Sequence, residues 1–404
     1  MTKEAATPPE PSIKPGDIVN GRYELDRELG RGGMGVVYLC QDLVTQDWVA
    51  LKCVFGTKGR SHEAIWFQQE ARALAALDHP VIVRARDFGM LPDGSPYLVM
   101  DALRGRSIHV WKYLCKIPWA VTWTIVDQVL SGLAHAHARG VIHGDLKPSN
   151  VMIDPRGGSE EPRAYILDLG LAWLLEDHID PRLATGKVVA PTLPFGLGTP
   201  GWMAPEQIKR AAPHIGPPTD LYALGSILYE LLTGREVFQG SSTEILRMHR
   251  DTPVTEVPLP PEVPKGVADF VRTLLAKRPW HRYRFAADAR AVWAQFRPTG
   301  PIRWAAPRVR VGDEKEDPTQ LPVRPPGDPG RTALALAPGI FALRPSPLVG
   351  RTEERARLWE QVQQVISGEG PKQRLVLLRG PAGVGKSRLS EWLCQAVHEQ
   401  GAML

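Results

Sequence analysis

At 404 residues the chain is longer than one hydrophobic core normally fills, so one large domain with a linker or a second module is expected. Its 43% apolar and 23% charged residues are ordinary for a soluble globular protein and exclude a disordered or fibrous chain. A net charge of +5 is slight for this length and gives no case for a nucleic-acid partner.

Residues 1–16 are rich in Pro, Thr and Glu and read as a disordered tail, with no apolar run of the kind a secretion signal carries. Short strands follow at 23–29, 36–41, 48–54 and 97–100, and a helical stretch at 62–77, which together make a strand-rich lobe. From 119 to 139 the apolar residues Val121, Ile125, Val129, Leu133 and Ala136 recur at three- and four-residue steps, the mark of an amphipathic helix. Helical patterns return at 221–233, 266–276 and 286–296, so the second lobe is mainly helical. Residues 298–347 hold eleven prolines and no sustained periodicity, which predicts a semi-rigid linker. The apolar stretch 333–343 is too short to span a bilayer and contains Pro338, so no membrane association is expected. Cys40, Cys53, Cys115 and Cys394 are widely separated and form no metal-binding spacing, as expected for reduced thiols in a cytoplasmic protein.

Several residues carry chemistry. Gly30, Gly32 and Gly35 lack side chains, so a hairpin there can lie over phosphates and offer backbone N–H groups; the bland alternative is a flexible hairpin. Lys52 sits in an apolar strand, where a charge is costly to bury alone, so it needs an acidic partner. Glu70 is the candidate by helical register and Glu63 the rival. Asp145, Lys147 and Asn150 fall within six residues, just after the apolar pair Val141-Ile142, a compact acid/base/amide cluster suited to holding a hydroxyl near a phosphate. Turn formation is the alternative for Asp145 and Asn150. Asp168 follows the apolar run 164–167 and suits a metal ion.

In chain order the motifs are Gly30-x-Gly32-x-x-Gly35-x-Val37, Val49-Ala50-Leu51-Lys52, Glu70, His143-Gly144-Asp145-Leu146-Lys147-Pro148-Ser149-Asn150, Asp168-Leu169-Gly170 and Ala204-Pro205-Glu206. This ordered set resembles the bacterial members of the eukaryotic-type (Hanks-type) Ser/Thr protein kinase family. The resemblance implies an α+β, two-lobed kinase fold over residues 17–297 that moves the γ-phosphate of ATP to Ser or Thr hydroxyls, including its own. It places Leu29, Gly30, Gly32, Gly35, Val37, Ala50, Lys52, Glu70 and Met100 around ATP. Asp145, Lys147 and Asn150 become the catalytic group, and Asn150 and Asp168 the ligands of Mg²⁺, with Mn²⁺ as an alternative ion. Thr185 and Thr192 are implied as phosphate acceptors in the activation segment, and Thr199 as part of the acceptor site. Glu206 is expected to pair with Arg282, and Asp220 to brace the catalytic loop. His135 and His137 lie where the family's long helix enters that loop, and a metal role for them is not expected. Protein substrates are implied, with self-association for phosphorylation in trans. A pseudokinase scaffold is the rival, motivated by one departure: Gly144 stands where relatives carry an arginine that reads a phosphorylated activation segment. Leu169 replaces the usual phenylalanine, one apolar residue for another.

After the linker, 298–345, the segment 346–404 carries a second phosphate-loop pattern, Gly380-Pro381-Ala382-Gly383-Val384-Gly385-Lys386-Ser387, between an expected strand at 375–378 and a helix at 387–399. Gly380, Gly385, Lys386 and Ser387 would cradle phosphate. With Pro347-Leu348-Val349-Gly350-Arg351 upstream, this resembles the entry of STAND/AAA-type ATPases, of which the segment is expected to be only the first part, since one strand and two helices cannot complete a parallel sheet.

Overall fold

The computed structural model describes residues 13–32, 35–54, 74, 77–155, 161–168, 173–174, 199–209, 214–307, 350–367, 375–381 and 383–401. Strands β1 (Ile18–Val19), β2 (Tyr23–Gly32), β3 (Gly35–Asp42), β4 (Trp48–Val54), β5 (Ala85–Met90) and β6 (Pro96–Asp101) form one antiparallel sheet in the order β1-β2-β3-β4-β6-β5. The sheet's outer core is made by Tyr23, Leu25, Tyr38, Leu51, Tyr97 and Val99. Tyr23 donates to Asp87 Oδ2 at 2.7 Å, and Arg22 holds Asp42 through Nε and Nη2, so the polar atoms at this end are satisfied.

The second lobe is built around α2 (Trp119–Ala138), preceded by β7 (Arg106–Ser107) and α1 (Ile108–Leu114). Fifteen residues of α2 are buried, more than one amphipathic stripe supplies, because neighbours pack it on several sides. Next come β8 (Val141–Ile142), a 3₁₀ turn at Pro148–Asn150, β9 (Val151–Asp154), β10 (Arg163–Ile166) and β11 (Trp173–Leu174). Helices α3 (Pro205–Ile208), α4 (Pro217–Thr233), α5 (Ser242–Asp251), α6 (Gly266–Leu274) and α7 (Ala286–Trp293) complete the lobe. At the α4–α6 crossing a Cβ on Gly225 would stand 2.7 Å from Leu274 Cβ, so this position requires glycine for close approach. Trp123 and Trp293 lock α2 to α7 reciprocally, each indole N–H donating to the other's carbonyl at 3.2 and 3.0 Å.

Residues 298–307 have no regular structure, yet Ile302 and Trp304 are buried in the helical lobe's core, with Trp304 4.8 Å from Trp111. The expected 62–77 helix lies largely outside the described residues; Leu74 within it is helical and buried. Further along, α8 (Thr352–Ile366) and α9 (Lys386–Glu399) flank the second phosphate loop. The strand expected at 375–378 does not form: Leu375 is 97% exposed, and among the described residues no strand lies beside it to complete its hydrogen bonds. Among the described residues no helix is long and apolar enough to cross a membrane.

Candidate active site

Strand register gathers the first group. Val37 pairs with Lys52 across β3 and β4, and Ala50 with Met100 across β4 and β6. Directly opposed residues share a face of a sheet, as do positions two apart, so these four point to the same side. That side meets the helical lobe, where Ala50 and Met100 are buried with Ala136 and Val141, and Val37, Leu103 and Leu167 pack against them. Leu29 and Gly30 lie at the far end of β2, beside this apolar slot, with Gly30 opposite Val37 and Gly32 opposite Gly35. A Cβ on Gly30 or Gly32 would meet nothing within 4 Å. Packing therefore does not demand glycine there; the open space is what a bulky anion would use.

Lys52 Nζ stands 2.8 Å from Asp168 Oδ1, so the strand lysine and the acid after β10 meet between the lobes. Asp168 has φ +48, a left-handed conformation that Asp tolerates better than most residues. Desolvation opposes its charge, but attraction and a hydrogen bond from Lys52, helped by His143 and Lys147, hold the carboxyl below the ordinary range. Glu70, Thr185 and Thr192 lie outside the described residues.

The loop from β8 to the 3₁₀ turn presents Asp145 between two partners. Its Oδ2 receives Lys147 Nζ at 2.5 Å, and its Oδ1 receives the backbone N–H and hydroxyl of Thr199 at 3.1 and 3.3 Å. Lys147 also donates to Thr199 Oγ1 at 3.0 Å, closing a triangle of three side chains. Asn150 Nδ2 donates to the Asp145 carbonyl at 2.9 Å, so the amide oxygen is left to accept, with the Ser149 hydroxyl 3.4 Å away.

Asp220 holds this loop from beneath. Its carboxylate accepts from the N–H groups of His143 and Gly144 at 2.8 and 2.9 Å and from His137 Nε2 at 2.9 Å. Burial works against its charge, but these donors outweigh it and keep the carboxyl below its usual range. Gly144 has φ +75, which favours glycine on backbone grounds alone. Two bracing residues escaped the sequence reading. His143 Nε2 donates to Leu167 O at 3.0 Å while its Nδ1 accepts from Asp145 N–H at 3.3 Å, tying this loop to the segment after β10 that carries Asp168. Gln207 accepts from Ala204 N–H at 2.9 Å and donates to Gly144 O at 2.7 Å. The signal for Gln207 was its place three residues into the turn that opens α3, where a glutamine reaches back to the first N–H. Nearby, Glu206 and Arg282 form a buried two-pronged pair at 2.7 and 3.0 Å.

Among the described residues no group of three or more His, Cys, Asp or Glu is placed to hold a metal. The Asn150 amide oxygen and the Asp168 carboxylate are hard oxygen donors, a set that fits Mg²⁺ shared with substrate phosphates rather than a cage made by protein alone. At the second phosphate loop Gly383 and Gly385 are left-handed, with φ +78 and +88. Lys386 Nζ there donates to Gly380 O and Pro381 O at 2.9 and 2.8 Å, and Ser387 is exposed in the first turn of α9.

A family model described as protein kinase domain matches residues 23–293. The serine/threonine-protein kinase Pkn1 of Myxococcus xanthus is 35% identical over 295 residues, covering 72% of this chain and 40% of that one. PknA of Mycobacterium tuberculosis is 32% identical over 355 residues, covering 86% of this chain and 74% of that one. The solved kinase domain of Mycobacterium tuberculosis PknI, a double mutant, matches with a TM-score of 0.53 at 23% identity, over 71% of this chain and 100% of that one. The chain spans 40% of the length of Pkn1, and likewise of PrkC from Bacillus subtilis.

Proposed function

We propose, for a chain that belongs to the protein kinase family, that it is a bacterial Ser/Thr protein kinase, transferring the γ-phosphate of ATP to Ser and Thr hydroxyls of protein substrates, its own among them. One observation carries the reading: the Asp145 carboxylate is held on one side by Lys147 and on the other by Thr199. A carboxylate so fixed orients an incoming hydroxyl and takes its proton as the new P–O bond forms. Lys147 offsets negative charge on the transferred phosphoryl group. Thr199 sets the edge of the acceptor site. Lys52 holds the remaining phosphates, under the hairpin bearing Gly30, Gly32 and Gly35. The slot of Val37, Ala50 and Met100, beside Leu29, takes the adenine. Asn150 and Asp168 would hold the Mg²⁺, which when bound would neutralise phosphate charge. Glu70 is read as the helix partner of Lys52, and Thr185 and Thr192 as acceptors of autophosphorylation.

The pseudokinase reading is disfavoured, because Lys52, Asp145, Asn150 and Asp168 are all present; the Lys52–Asp168 contact and the hydrogen bond from Asn150 to the Asp145 carbonyl support this. The division into kinase domain (17–297), linker (298–345) and a phosphate-loop segment similar to STAND/AAA-type ATPases (346–404) belongs to the same proposal. It is supported by the glycine conformations around Lys386. A cytoplasmic setting belongs to the same proposal, on the wide separation of Cys40, Cys53, Cys115 and Cys394 in the sequence.

The test is transfer of labelled phosphate from Mg·ATP to a Ser/Thr peptide. Asp145→Asn is expected to keep the fold and ATP binding and to lose roughly 10²- to 10⁴-fold in rate. Near-normal transfer by that variant would overturn the assignment.

A further inference from the structure

The end of α9 is seated on the helical lobe, on the side of α2 that carries His135 and Arg139. The Glu399 carboxylate meets Arg139 Nη1 and lies 3.2 Å from His135 Nδ1. Beside it the His398 ring packs edge-on against Phe285, 4.4 Å between centroids, and a Cβ on Gly401 would stand 3.2 Å from Asp288 Oδ1. The contact thus spans α2 and the start of α7, with His398 buried in it. Burial opposes the charge on Glu399, but hydrogen bonds from His135 and Arg139 overcome it and bring the carboxyl down to about 2.

The other nitrogen of His135 does different work. Nε2 lies 3.2 Å from the backbone N–H of Asp78, which only donates, so Nε2 is the unprotonated nitrogen and Nδ1 carries the hydrogen that Glu399 receives. The Glu399 carboxylate and the Asp78 N–H thus favour the same tautomer from opposite sides of the ring, the one that supports the turn at 78–81. The neighbouring ring of His79, tilted against it with centroids 5.1 Å apart, serves the same turn, accepting from Val81 N–H at Nδ1 and meeting Ser131 through Nε2. Val81 in turn accepts from Ile166 N–H at 2.7 Å, and Val83 donates to Ile166 O. Ile166 ends the strand that leads to Asp168. An unbroken set of contacts therefore runs from the last turn of α9 to the approach of Asp168.

We infer that α9 is a built-in strut for the kinase domain, with Glu399 as a positioning residue that acts through His135 on the 78–81 turn. The occupant of this surface is the chain's own helix α9. The inference rests on the kinase reading for its effect on activity, but the docking stands independently of it.

Hydrogen exchange, ring-nitrogen NMR of His135 and peptide phosphorylation, all on the full chain, separate the parts. Glu399→Ala is expected to speed exchange of the α9 amides, to convert the single Nδ1–H signature of His135 to a mixture, and to lower the phosphorylation rate by about two- to fivefold. Combining Arg139→Glu with Glu399→Arg restores the charge pair but not an acceptor for His135. It is expected to recover α9 protection while the ring signature and the lowered rate persist. Equal α9 exchange in native protein and Glu399→Ala overturns the docking. An unchanged His135 signature, or an unchanged rate in a protein whose native activity is measurable, overturns the positioning role. A native protein without transfer activity would instead fail the kinase reading and leave the exchange result standing.

Discussion

Gln207 Nε2 donates to the carbonyl of Gly144 at 2.7 Å, fastening the start of α3 to the residue before Asp145. The acceptor is backbone, so the link exists without any charged side chain at position 144. Activity is therefore expected to be largely independent of phosphorylation at Thr185 or Thr192. Phosphatase treatment, or the pair Thr185→Ala and Thr192→Ala, should leave most transfer to an added peptide, whereas a loss beyond about tenfold, ~1.4 kcal/mol of barrier, would contradict this.

Gly144 itself should resist replacement. At φ +75 a side chain is strained, so Gly144→Ala is expected to cost about 1–2 kcal/mol, read as a lowered denaturation midpoint. Gly144→Arg should be no better tolerated, even though it recreates the residue common in relatives.

The Glu206–Arg282 pair is buried, and Arg282 also donates to Ala276 O and Pro218 O. Removing the cation strands a carboxylate in the core. Arg282→Met is expected to lose about 3–5 kcal/mol, checked by urea unfolding.

Stability should also fall in mild acid. Burial pushes His79 down to about 4, and burial, with repulsion from Lys277, does the same to His249. An imidazole with a folded pKa below its unfolded value of about 6.5 binds its proton more readily in the unfolded chain. Stability is then full above that value and declines as pH drops from about 6.5 towards 4. The depressed carboxyls of Asp168 and Asp220 act only in stronger acid, so the windows separate. Melting temperatures across pH 4–8 check this, and His79→Asn, which keeps an acceptor for Val81 N–H, should flatten the slope.

Asp168→Ala should abolish ATP turnover. Residual hydrolysis that disappears on adding Lys386→Ala would assign turnover to the second phosphate loop instead.

The strands around the cleft were legible because the apolar run at 48–54 and the glycine spacing at 30–35 are local patterns. The central helix was legible too, from the steps Val121 to Ala136. Its extra burial was not, because what covers its polar side depends on packing by α4, α7 and β10. The roles of Gln207 and His143 were hidden for a similar reason: each reaches a backbone group far away in sequence. At 375–378 an apolar run read as a strand stays irregular, since a strand exists only with a neighbour to bond.

Trp304, seated on Trp111, fixes where the tether leaves the kinase lobe, and α9 returns to the same lobe beyond residues 308–349. Even fully extended, residues 308–399 reach at most about 330 Å, which keeps the helix at an effective concentration no lower than about 0.01 mM. The docking contact is therefore unimolecular. It does not weaken on dilution, and an intrinsic dissociation constant of about 1 μM suffices to keep the strut in place.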